Sequence, residues 1–127
     1  MKQTLRSLVL TLLISFSISF ASKSQVAVNA SIGSDFVIHL NENTPLVSDY
    51  TFDISSMNFD SKEESEHFFS MCRDNLLNYS VNYDAKTASV HISLEYMEPR
   101  GWGINEYIGY FQKVSERYRK TYEAISE

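Results

Sequence analysis

Apolar and polar residues alternate with a period of two along four stretches of the chain, the pattern of strands with one buried face. These are Phe36-Ile38-Leu40, Tyr50-Phe52-Ile54, Tyr79-Val81-Tyr83 and Ala88-Val90-Ile92-Leu94. The last two flank Asp84-Ala85-Lys86-Thr87, a polar connector of hairpin length that predicts an antiparallel pair. Between the second and third stretches the period changes. Ser61 and Glu64 form a capping box, and Phe68, Cys72 and Leu76, with Phe69 and Met71 at the margins, predict a helix running to about Asn75. Pro99, Gly101 and Gly103 then break the chain before a second helical stripe through Ile104, Ile108, Phe111, Val114, Tyr118, Tyr122 and Ile125.

The predicted order is strand, strand, helix, strand, strand, helix, an α+β domain with two helices on one face of a four-stranded antiparallel sheet. It reads as a ferredoxin-like sheet, circularly permuted, with strand order first, second, fourth, third. The segment 22–33 is open between an N-terminal arm and an extra strand, since Val26, Val28, Ala30 and Ile32 also alternate. One domain spanning 34–127 accounts for the rest of the chain.

The first twenty-one residues have a different character. Lys2 and Arg6 precede an apolar run from Leu8 to Phe20, with Ser19 and Ala21 at the −3 and −1 positions of a cleavage site. The run is shorter than a bilayer span, so it predicts a secretory leader removed near Ala21 and an extracytoplasmic protein, periplasmic or secreted, with no stable membrane anchor. Nine basic residues against sixteen acidic ones then give the remainder a net charge of −7, which argues against nucleic acid or anionic membrane surfaces as partners. Cys72 is the only cysteine, so no internal disulfide can form and the fold must rest on its core.

The stretch from Tyr50 to Tyr96 resembles, in element order and spacing, the heavy-metal-associated domain family of copper chaperones and metal-pump domains. That resemblance implies a Met-x-Cys-x-x-Cys loop between the first strand and first helix of the unit, where two thiolates hold a soft cation. Here the loop reads Ser56-Met57-Asn58-Phe59-Asp60-Ser61-Lys62, with Phe59 and Lys62 at the cysteine positions. Thiolate-based metal transfer is therefore not carried over.

Three groups of residues are candidates for chemistry. His39, Asp53 and His91 fall on one predicted sheet face, where two imidazoles and a carboxylate would suit a divalent metal or acid-base pair if they converged. His67, Met71 and Cys72 lie together on the first helix, with Cys72 on its buried stripe. Arg100 and Trp102 sit in the Glu98-Pro99-Arg100-Gly101-Trp102-Gly103 loop, and Trp and Arg are residue types that anchor protein interfaces. No Gly-x-Ser-x-Gly turn and no phosphate-cradling glycine loop is present. The sequence thus predicts a non-enzymatic binding or assembly module without cofactor or bound metal, its partner another protein or a second copy of itself. The alternative is an extracytoplasmic metal-handling protein that uses His39, Asp53 and His91, or Met57.

Overall fold

The computed structural model of the protein describes residues 27–126; the leader assigned to 1–21 lies outside them. Five strands form: β1 (Ala30–Ile32), β2 (Ile38–Leu40), β3 (Asp49–Asp53), β4 (Leu77–Asn82) and β5 (Thr87–Ile92). Helix α1 (Lys62–Cys72) joins β3 to β4, a short α2 (Leu94–Met97) follows β5, and α3 (Ile104–Ile125) closes the chain. The class is α+β, but the sheet is not the predicted four-stranded one. Strands β3, β5 and β4 make a three-stranded antiparallel sheet in that order, and β1 and β2 make a separate two-stranded one.

The departure has a local cause. Phe36, assigned to the first strand, has φ 60° and donates its N–H to Gly33 O at 3.0 Å, so the chain turns there. Asp35 holds the turn by accepting from Val37 N at 3.0 Å. The turn folds β2 back on β1, pairing Ile32 with Ile38 and Ala30 with Leu40 across five intervening residues, a shorter loop to close than the segment 41–48 that leads from β2 to β3. Segment 27–33 therefore contains a strand, and β1 rather than β2 lies alongside β3.

The β4–β5 hairpin forms where the alternation places it, with Asn82 opposite Thr87 and Lys86 at φ 54° in the turn. Helix α1 begins as its capping signal requires: Ser61 accepts from Glu64 N at 3.1 Å. It ends at Cys72, three residues before the predicted Asn75, because Asp74 accepts from both Leu76 N and Leu77 N and turns the chain into β4. Leu76, expected on the helix, is buried in that joint instead.

One face of the sheet carries Tyr50, Phe52, Val90 and Ile92, each 2% exposed or less, against Phe68, Phe69, Phe111 and Tyr118 from the helices. Such rings and branched chains contribute about 2 to 3 kcal/mol apiece by leaving water, so this aromatic layer replaces the missing disulfide as the source of stability. Edge-to-face contacts order it, among them Phe68 to Phe69 at 4.9 Å between ring centres. The β1–β2 hairpin closes the far side of the core through Ile38, 1% exposed, and through Phe36, whose ring packs tilted against Tyr122 at 5.2 Å between centres.

Candidate functional site

The face of the sheet turned away from the helices carries short polar side chains: Asp49, Thr51 and Asp53 on β3, Ser89 and His91 on β5, Asn78 and Ser80 on β4. His91 donates from Nδ1 to Asp49 Oδ1 at 2.9 Å, its cross-strand neighbour. The bond holds the Asp49 carboxyl below the usual range, since it favours the ionised form. His39 donates instead to Asp35 Oδ2 at 3.0 Å, beside the β1–β2 turn. Asp35 is likewise lowered, first by the Val37 N–H and then by His39.

Asp53 joins neither histidine. Its carboxylate accepts from Ser55 N at 2.8 Å and caps the 3-10 turn Ser55–Met57. Register places Asp53 opposite Thr87, four residues along β3 from the Asp49–His91 pair, a separation of about 13 Å. The predicted trio thus divides into two His–Asp pairs with different partners and one capping carboxylate. Among the described residues, no three His, Cys, Asp or Glu side chains come close enough to hold a metal ion. Met57, the residue that fits the metal-loop pattern, is 6% exposed and belongs to the core, as does Phe59.

Cys72 is fully buried, and burial pushes its thiol up to about 12. It is a packing residue, separated in environment from exposed His67 and Met71. Around it lies a polar network that the sequence reading missed. Tyr118 donates to Cys72 O at 3.2 Å and accepts from Tyr79 at 2.8 Å, while Tyr110 donates to Asp74 Oδ2 at 2.6 Å. Arg117 approaches the same carboxylate at 3.6 Å. Burial raises all three phenols, Tyr110 to about 12 with help from Asp74. The network pins α3 to the α1–β4 joint. Its signal was present in the eight-residue step from Tyr110 to Tyr118, which places both on one helix face.

Arg100 is exposed at the end of a 3-10 turn, followed by Gly101 at φ 70°. The turn swings Trp102 back over the first turns of α3, whose N-terminus Glu106 caps by accepting from Gly103 N at 2.8 Å. The indole stands edge-on to Tyr107 at 5.2 Å and to Tyr110 at 5.9 Å, and remains half-buried. Beside it runs a groove of about 450 Å³, with Leu76 and Val114 in its lining and Glu106 and Lys113 as its charged members. Gly109 lies in this groove, and a methyl group there would meet no atom within 4 Å. Trp102 and Arg100 are neighbours in sequence, but only the tryptophan enters the groove.

No protein-family model, curated protein or solved structure matches the chain. The geometry of these surfaces therefore carries the functional reading.

Proposed function

We propose that the protein is an exported, non-enzymatic binding module whose working surface is the groove beside Trp102, and that its partner is a polypeptide presenting an apolar side chain. The leader pattern of residues 1–21 supports the export. The observation that carries the binding reading is Gly109. A glycine inside a helix costs about 0.5 to 1 kcal/mol relative to alanine. Among the described residues nothing requires it, since the space above its Cα is empty. A partner backbone lying in the groove supplies the requirement, because only a bare Cα lets it approach α3 between Trp102 and Lys113. The half-buried indole provides a rigid aromatic wall of the kind that dominates interface energies. Glu106 and Lys113 orient the incoming chain by charge.

Substitution at Gly109 separates stability from binding. Gly109→Ala raises the stability of the protein by about 0.5 to 1 kcal/mol in denaturant unfolding and weakens partner capture at the same time. Capture is read with a photo-crosslinking residue placed at Lys113 in the full chain, expressed with its own leader in its own organism. A crosslinked protein that disappears with Trp102→Ala and weakens with Gly109→Ala supports the reading. A crosslink unmoved by either substitution, or none above that of the same probe at Ser89, overturns it.

A further inference from the structure

The backbone hydrogen bonds of the sheet leave one strand edge open. Ser93 N donates to Leu76 O at 2.9 Å, and with the β4–β5 register this directs the backbone groups of Asn78, Ser80 and Asn82 toward β5. Those of Leu77, Tyr79 and Val81 point outward. Asp74 takes both outward groups of Leu77, its carboxylate accepting the N–H and its own N–H donating to the carbonyl. Among the described residues nothing pairs with the N–H and C=O groups of Tyr79 and Val81. A groove of about 260 Å³ runs beside them, with Glu66 and Arg73 of α1 among its lining residues.

We infer that this edge pairs with the same edge of a second copy of the chain, antiparallel and centred on Ser80. Several features fit a twofold axis at that residue. The six residues Leu77–Asn82 carry no charge, no lysine and no proline, the devices that guard an exposed edge. About Ser80 the strand is nearly its own mirror image in chemistry: Asn78 meets Asn82, Ser80 meets Ser80, and Tyr79 meets Val81. The amides and hydroxyls can bond across the polar face, and an aromatic facing a β-branched residue is a favourable cross-strand pair. The outward groups of Tyr79 and Val81 then exchange four hydrogen bonds between the two copies. Helix α1 runs antiparallel to β4, so Glu66 lies near Val81 and Arg73 near Tyr79. The same axis brings each Glu66 toward the Arg73 of the other copy, opposite charges on both sides.

This interface uses residues other than those of the Trp102 groove, so the two readings fail separately. Sedimentation of the protein as recovered after export, from micromolar to millimolar concentration, shows a monomer–dimer equilibrium. Ser80→Lys sets two ammonium groups opposite each other on the axis and weakens dimerisation at least tenfold without lowering the melting temperature. In Ser80→Cys the paired Cα atoms stand about 4.5 Å apart, within disulfide range, so mild oxidation gives a covalent dimer, whereas Ser89→Cys on the central strand does not. Trp102→Ala leaves the dimer intact. A protein that stays monomeric and whose Ser80→Cys variant crosslinks no faster than Ser89→Cys overturns the inference. So does a dimer indifferent to Ser80→Lys.

Discussion

Along the outer side of β3, Thr51 donates its N–H to Asn29 Oδ1 at 2.7 Å and accepts from Asn29 N at 3.0 Å. The same side chain reaches Asp49 O at 3.3 Å, and the β1–β2 hairpin follows directly. Along the outer side of β4 no segment of the described chain plays that part, and Tyr79 and Val81 stay unpaired. The difference shows that the protein has a means of sealing a sheet edge from its own sequence and that, among the described residues, it is applied to the β3 edge and not to β4. The sealed edge depends on an asparagine side chain that imitates a strand. The open edge is instead backed by the tyrosine network on its inner side.

The largest expected effect strikes that backing. A thiol or phenol raised in the folded state keeps its proton where the unfolded chain has lost it. Its contribution to stability is therefore complete below the unfolded value, 9.0 for Cys72 and 10.0 for the tyrosines, and declines as pH rises toward the folded value, about 12 for Cys72 and Tyr110. Each group fully titrating in this window removes about 1.4 kcal/mol per pH unit, less for half-buried Tyr110. Urea midpoints measured from pH 8 to 11 should fall steeply above pH 9, and Tyr79→Phe should flatten the fall. An unchanged midpoint across that range would remove the network as a support of the β4 side.

Next in size is the sealed side. Ile38→Ala empties a fully buried position of β2 and should cost about 2 to 4 kcal/mol, against about 1 kcal/mol for half-buried Val81→Ala on the open edge. Chemical denaturation of both variants tests the ranking. Asn29→Ala should cost about 1 to 2 kcal/mol, since it leaves the N–H of buried Thr51 without its partner. The variant should also expose amide protons of β3 to hydrogen exchange, while those of β4 are unaffected. The smallest effect lies at acid pH. Asp35 and Asp49 have depressed values, so the stability they lend is present above the ordinary carboxylate range near 3.8 and is lost as pH falls below it. Both carboxylates are exposed, which keeps the loss slight; His91→Gln should remove the Asp49 share.

Strands β3, β4 and β5 and helices α1 and α3 were legible because each carries a clear period and local stop signals, such as the Ser61–Glu64 cap and the turn at Lys86. The partner of β2 was not. Alternation reports which residues face the core, but it does not say which strand lies alongside, and the deciding event is the backbone turn at Phe36. Trp102 was legible as a loop residue of interest, and its packing on Tyr107 and Tyr110 shows it both covering the helix and walling a groove. The histidines misled as a trio, because sharing a face says nothing of position along the strands. Asp35, four residues before His39, was the nearer partner in the sequence itself. Gly109 carried no signal in the sequence, because helical periodicity reports which face is buried and not what space lies above a Cα.

Cys72, 0% exposed beneath the tyrosines, bears on the proposed export, which would carry the chain into oxidising surroundings. A lone thiol there is open to capture by small-molecule disulfides or by cysteines of other proteins, and exchange proceeds through the thiolate. Folding withholds both access and ionisation, so the cysteine is spared for as long as the core is closed. The same arrangement turns it into a clock: a thiol-reactive dye added to the native protein reacts only as often as the core opens.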